Sequence, residues 1–159
     1  MGKIVKTNAM RILDKGKVPY NIISYDISDG EVDGISVANK IGRSVDQVFK
    51  TLVGHGKEDV YVFIIPVHYE LDLKKAAHAS NEKKIELIPV KDILKLTGYI
   101  RGGCSPLGMK KLYKTYINSS ALELEQIIVS GGKIGLQIEL TPNELKDVIN
   151  AEFIDLIKE

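Results

Sequence analysis

The sequence predicts an α+β fold with a mixed, strongly curved β-sheet. Three observations carry that reading. Strand-like apolar stretches outnumber helical ones in the second half of the chain. Strands and helices do not alternate regularly, which argues against a series of βαβ units. The 159 residues, 44% hydrophobic and 27% charged, suffice for one core without metal or disulfide staples, and residues 1–159 read as a single domain. No internal repeat, low-complexity tract or linker divides them.

Thr7 to Lys15 reads as a helix, with Thr7 as its cap, Ala9, Met10 and Leu13 on one face and Gly16 as its stop. Pro19 to Tyr25 reads as a strand, and the acidic, glycine-bearing Asp26 to Gly34 as a loop. Ser36 to Lys40 has helical spacing through Val37, Ala38 and Ile41, ended by Gly42. Ser44-Val45-Asp46-Gln47 has the capping-box pattern and predicts a short helical turn. Phe49 to Val53 and Val60 to Ile65 read as paired strands joined through Gly54-His55-Gly56-Lys57. The second is apolar on both faces, so it is expected at the centre of the sheet. Asp72 starts a helix whose face is Leu73, Ala76 and Ala77. Ile85 to Ile88 reads as a short strand, and Val90, Ile93 and Leu94 mark a helix ending at Thr97-Gly98. Thr115 to Asn118, Gln126 to Ser130 and Gly135 to Leu140 read as strands. Thr141-Pro142-Asn143-Glu144 combines a cap, a proline at the first helical position and a capping-box glutamate, with Leu145, Val148 and Ile149 facing inward. Phe153 to Ile157 is expected as the last strand.

Net charge is +1 and the pI about 7.8, so there is no general electrostatic case for nucleic acid; any RNA contact must be local. Cys104 stands alone and cannot form an intramolecular disulfide. Met1 to Asn8 is polar and basic without an apolar centre, unlike a signal peptide. No apolar run reaches membrane-spanning length, and a cytoplasmic location is expected.

Gly98-Tyr99-Ile100-Arg101-Gly102-Gly103-Cys104-Ser105-Pro106-Leu107-Gly108 packs four glycines, a proline and the sole cysteine into eleven residues. Such a loop brings backbone close to a ligand and offers N–H groups to an oxygen, so it reads as the wall of a small-molecule or acyl pocket. Lys50 sits between apolar neighbours at a strand's start. It is either a snorkelling strand-end lysine or a cation poised for an oxyanion or carbonyl. Tyr20 alone reads as a half-buried aromatic. Cys104 lacks the second glycine of a nucleophile elbow and reads as a small buried hydrophobe, and Ser105 as the organiser of the turn before Pro106. Ser130-Gly131-Gly132-Lys133 is a hairpin turn or a second close approach of backbone to ligand, and lacks the Walker spacing. His55, His68 and His78 have no metal-ligand spacing, so no metal is expected. Lys110, Lys111 and Lys114 form a solvated face or a contact for RNA phosphates.

Taken together, Phe49-Lys50-Thr51-Leu52, Leu71-Asp72-Leu73-Lys74-Lys75, the glycine loop and Val129-Ser130-Gly131-Gly132-Lys133 resemble the YbaK/EbsC family, free-standing relatives of the editing domain inserted in bacterial prolyl-tRNA synthetases. The resemblance runs through nearly the whole chain in order. It implies a compact α+β fold with a barrel-like mixed sheet flanked by short helices. It also implies trans-editing of tRNA(Pro) mischarged with cysteine, with no cofactor, metal or protein nucleophile, and prolyl-tRNA synthetase as a candidate partner. By the same resemblance, the near-invariant lysine matches Lys50, the pocket tyrosine Tyr20, the carbonyl-binding backbone Gly102 and Gly103, and the serine-glycine turn Ser130 and Gly131. Thr51 and Ser105, in the matching motifs, complete the expected substrate contacts. The chain departs from the family at Gln137, where an aspartate is frequent, at Asp33, where a bulkier apolar residue is common, and at Cys104, where an aliphatic residue is frequent.

The implied chemistry is attack of the substrate thiol on its own ester carbonyl, which asks the protein to fold the substrate and hold the oxyanion. Serine and alanine esters would survive for want of a comparable nucleophile. An Ala-tRNA(Pro) deacylase on the same fold and a non-catalytic module that binds aminoacyl-tRNA or a synthetase fit the same residues. A zinc-dependent alanyl-editing protein is disfavoured by the missing ligand motif.

Overall fold

The computed structural model describes residues 6–158. Residues 1–5, which make up most of the segment read as unlike a signal peptide, lie outside the described residues. Among the described residues there are five α-helices, one 3-10 turn and eight strands, the strands forming two sheets. Among the described residues no helix is long and apolar enough to cross a membrane.

The local start and stop signals act as expected. Helix α1 (Asn8–Lys15) is capped by Thr7, whose hydroxyl accepts from the Met10 N–H at 3.3 Å, and buries Ala9, Met10 and Leu13. Strand β1 (Asn21–Ser24) is shorter than the predicted Pro19–Tyr25. Helix α2 (Gly34–Ile41) begins two residues early because Asp33 caps it, accepting from the Ser36 N–H at 3.1 Å. Asp72 caps α3 (Leu73–Ser80) through the Lys74 and Lys75 N–H groups at 2.9 and 3.1 Å. Helix α4 spans Val90–Thr97, and α5 (Pro142–Ile149) is capped by Thr141.

Residues 44–47 are a hydrogen-bonded turn rather than the predicted helical turn. The Gln47 N–H donates to the Ser44 carbonyl at 3.0 Å, and the Gln47 side chain goes to Glu139 at 3.1 Å instead of back to the cap. The chain then extends directly into β2 (Phe49–His55). The hairpin to β3 (Val60–Pro66) turns two residues later than predicted, because Gly54 and His55 also pair with β4 (Glu86–Leu87). The 3-10 turn Ser119–Glu123 follows β5 (Lys114–Asn118) without a sequence signal read above. The last predicted strand is two pieces, β8 (Glu152–Ile154) and an Ile157 bridge to Leu71. They are parted where the Leu156 N–H turns to the Asn118 side-chain oxygen at 2.9 Å.

The larger sheet is mixed, in the order β4-β2-β3-β5-β8, with β3 parallel to β5 and β5 parallel to β8. The smaller is antiparallel, β1-β7-β6, with β6 (Ile127–Ser130) and β7 (Leu136–Leu140) pairing Ser130 with Gln137. The single curved sheet of the sequence reading is thus divided in two, joined by a parallel bridge between Val48 and Ile128.

Strand β3 explains why both faces of the sheet are apolar. Val62 and Ile64 point into a core between the sheets, closed by α1 and α5. Tyr61, Phe63 and Ile65 point into a second core covered by Ala76 and Ala77 of α3. A third cluster, Ala38, Val48, Val67 and Ile128, seats α2 on the junction of the sheets.

Candidate active site

That junction frames a cavity of about 110 Å³. The polar residues Tyr25, Lys50, Thr51, Ser130 and Gln137 line it, together with Gly102 and Cys104. Val32, Val37, Phe49 and Val67 supply apolar wall.

Lys50 enters from β2, where it pairs with Ile65 of the buried central strand. It is half-buried, and burial pulls its ammonium below the ordinary lysine range, with only the longer-range charge of Glu70 opposing. Among the described residues it makes no ion pair or hydrogen bond. A desolvated cation without a partner is costly to keep. It is also free to meet an anion or a carbonyl oxygen.

The glycine loop supplies the opposite need, N–H donors. Gly102 holds φ +88°, a conformation that glycine adopts without the penalty of a Cβ. The amides of Gly102 and Cys104 have no partner among the described residues, whereas the Gly103 N–H donates to the Ile100 carbonyl at 3.0 Å. Gly103 serves packing: a Cβ there would stand 2.9 Å from the Ile134 nitrogen, so its absence lets the two glycine turns touch.

Two hydroxyls in the cavity wall, Tyr25 Oη and Thr51 Oγ1, are buried without a hydrogen-bond partner. Gln137 is 6% exposed and lines the cavity, and its side-chain amide makes no hydrogen bond among the described residues. A buried, unsatisfied polar group costs about 1–3 kcal/mol, so a cluster of them marks a surface completed by a ligand. Cys104 Sγ lies 4.0 Å from Thr97 Oγ1, and burial pushes the thiol up to about 11. It stays protonated near neutrality and behaves as a small apolar side chain.

Of the residues singled out from the sequence, the structure brings Lys50, Thr51, Gly102 and Ser130 together at the cavity. Gly103, Ser105, Gly131 and Tyr20 do not line it. Ser105 is fully buried and its hydroxyl accepts from the Leu107 N–H at 3.2 Å, organising the loop from beneath. The Gly131 N–H is taken by the Leu136 carbonyl at 2.9 Å. Tyr20 lies before β1 and its hydroxyl donates to Asp14 at 2.9 Å. Asp33 is an exposed helix cap, and Val32 rather than Asp33 meets the cavity. The aromatic hydroxyl of the site belongs to Tyr25, which the sequence reading passed over. Alternation along the predicted strand put Tyr20 and Tyr25 on opposite faces, and that was the available signal. Among the described residues no three His, Cys, Asp or Glu side chains gather as a metal site.

A cleft between two sheets with a half-buried cation and free backbone donors has the features of a site for a small acyl group. Residues 32–148 match the family model of the aminoacyl-tRNA editing domain, and the chain belongs to that family. It is 46% identical over 152 residues to the Enterococcus faecalis protein named "Putative Cys-tRNA(Pro)/Cys-tRNA(Cys) deacylase EbsC", covering 95% of this chain and 93% of that one. A solved structure described as "a putative trans-editing enzyme for prolyl tRNA synthetase" superposes with a TM-score of 0.83 at 24% identity, covering 98% of this chain and 99% of the other. That of "hypothetical protein APE2540" superposes with a TM-score of 0.87 at 18% identity, covering 96% and 100%. At such identities the two structures speak for the fold.

Proposed function

We propose that this chain is a trans-editing deacylase that clears Cys-tRNA(Pro), working as one editing domain in the cytoplasm. The observation that carries the proposal is the unpaired ammonium of Lys50 in the same small cavity as the unpartnered amides of Gly102 and Cys104. Family membership and the 46% identical relative named for this activity support the choice of substrate.

The cavity suits a small aminoacyl group. The Gly102 and Cys104 amides receive the ester carbonyl oxygen, and their hydrogen bonds strengthen as it becomes an oxyanion. The substrate thiol attacks that carbonyl: a sulfur–carbon bond forms, the bond from carbon to the ribose oxygen breaks, and the thiol proton ends on the ribose hydroxyl. Cysteine leaves as a cyclic thioester that water later opens. Lys50 offsets the developing negative charge or anchors the nucleotide end. The Gln137 amide oxygen receives the substrate ammonium. Discrimination against alanine then follows from chemistry, since a small apolar pocket rejects a similar side chain only weakly. A prolyl-tRNA synthetase as partner would supply the tRNA selection that a net charge of +1 does not suggest for this chain alone.

Single-turnover assays with Cys-tRNA(Pro) and Ala-tRNA(Pro) test this. Rapid loss of cysteine, slow loss of alanine and a fall of about 10²–10³ in rate for Lys50→Ala are expected. Intact Cys-tRNA(Pro) after prolonged incubation with the wild-type protein would overturn it.

A further inference from the structure

One wall of the cavity is built around a loop with little core of its own. Residues 26–33 connect β1 to α2, and the cavity takes Tyr25 from just before them, Val32 from within them and Gly34 and Val37 from just after. Residues 26–31 are all exposed, Ile27 among them at 48%, so little apolar burial holds this span down. Its own hydrogen bonds are short in reach. Asp26 accepts from the Ser28 N–H at 3.0 Å, Asp29 from the Glu31 N–H at 3.0 Å, and the Ile27 carbonyl from the Gly30 N–H at 3.1 Å. The bonds that join its two ends come from Lys40, on the last turn of α2. The Lys40 ammonium donates to the Asp26 carbonyl at 2.8 Å, the Glu31 carbonyl at 2.8 Å and the Asp29 carboxylate at 2.6 Å. An ammonium has three donors, and the loop takes them all. The Lys40 side chain is only 18% exposed.

We propose that Lys40 is a positioning residue of the site: it clamps the ends of the 26–31 span together and so fixes Tyr25 and Val32 in the cavity wall. The role in catalysis rests on the deacylase reading. Asp26 follows Tyr25 and Glu31 precedes Val32, so the two carbonyls that Lys40 gathers belong to the neighbours of two wall residues. Val32 in turn stands beside the donor loop, where a Cβ on Gly102 would lie 4.0 Å from Val32 Cγ2. The pair with Asp29 alone would be worth little, since Asp29 is 45% exposed and water competes for it. The two carbonyls matter more, because without Lys40 every bond left inside the span bridges only two or three residues. Attack of the substrate thiol needs its atoms held closely, and a wall displaced by about 1 Å costs up to about 10²-fold in rate. Lys40 does not itself line the cavity, and α2 does not need it to form. The helix is capped by Asp33, stopped by Gly42 in the left-handed conformation, and seated through Ala38 on Val48 and Ile128.

Amide hydrogen exchange and single-turnover kinetics on Lys40→Met in the full chain test the clamp. Exchange is expected to rise at least about tenfold at the Ser28, Gly30 and Glu31 amides, while the amides of β3 and the melting temperature stay as in the wild type. The rate of Cys-tRNA(Pro) loss at saturating protein falls about 10- to 100-fold, and the protein concentration for half-saturation moves by less than about twofold. Lys40→Arg, which keeps a cation with several donors, recovers part of that rate. Wild-type exchange at residues 26–31 in Lys40→Met would overturn the clamp, and a loosened loop with an unchanged rate would overturn its positioning role. If Lys40→Met exchanges faster throughout the chain, Asp29→Asn decides: a rise confined to the loop upholds the clamp, and no rise overturns it. A wild-type protein that leaves Cys-tRNA(Pro) intact would sink the deacylase reading, and the exchange data would still decide whether Lys40 holds the wall.

Discussion

In the proposed mechanism, Lys50 opposes stability to function at a single atom. Its pKa in the folded chain lies below that of the unfolded chain, because burial disfavours the ammonium. Between the two values the unfolded state binds more protons, so this residue's contribution makes stability rise with pH through that window. In the proposed mechanism activity runs the other way, since the ammonium is lost over the same window. We therefore expect Lys50→Met, which keeps the chain length and removes the charge, to melt at or above the wild-type temperature. A gain of about 1 kcal/mol would be about 2–4 °C for a chain of this size. Deacylation falls to the residual level of Lys50→Ala. A marked drop in melting temperature would show instead that the ammonium is satisfied by a partner in the fold.

Among the elements, the two sheets are tied at the stretch that leads into Lys50. Val48 bridges Ile128, and its carbonyl also accepts from the Val67 N–H at 2.9 Å. Beneath it Glu139 of β7, 3% exposed, accepts from Gln47 at 3.1 Å and Asn21 at 3.2 Å and pairs with Arg43 at 3.1 Å. Arg43 is more than a third exposed, so water can replace its share, and the hydrogen bonds inside carry most of the effect. Glu139→Gln is expected to cost about 1–3 kcal/mol in urea unfolding and to lower kcat of deacylation more than KM rises, because the strand bearing Lys50 loses its anchor. A loss of stability with unchanged kcat would confine Glu139 to the scaffold. These ties also mark how far the sequence could be read. Thr7, Asp72 and Thr141-Pro142 announce their helices because a cap needs only the next three residues. The turn at 44–47 misleads because Gln47 is claimed by Glu139, 92 residues away. Tyr25 reaches the site because its N–H pairs with the Gly135 carbonyl at 3.0 Å, a register that no local pattern encodes. Lys50 and the glycine loop were legible since their oddity is local: a cation in an apolar strand, and glycines in excess of what a turn requires.

For the whole molecule, a net charge of +1 conceals an uneven surface. Many lysines elsewhere are paired, as Lys40 with Asp29, Lys75 with Asp155 and Lys146 with Asp147. Among the described residues Lys95 and Lys110 make no ion pair, although Asp92 stands three residues before Lys95 on α4. On the proposed reading this stretch is where RNA is attracted, which suits an enzyme that must leave correctly charged tRNA to translation. Salt dependence measures this. If Lys95 and Lys110 each meet a phosphate of the single-stranded 3′ end, replacing both with glutamine lowers the slope of log(kcat/KM) against log salt by about 0.7 for each contact removed. The turnover of bound substrate stays at the wild-type rate, because neither side chain touches the cavity. Lys146→Gln, at a lysine already paired with Asp147, leaves the slope unchanged. A slope that drops equally in all variants would mean that RNA is attracted by total charge alone, and the basic stretch beside α4 would lose its claim to orient the substrate.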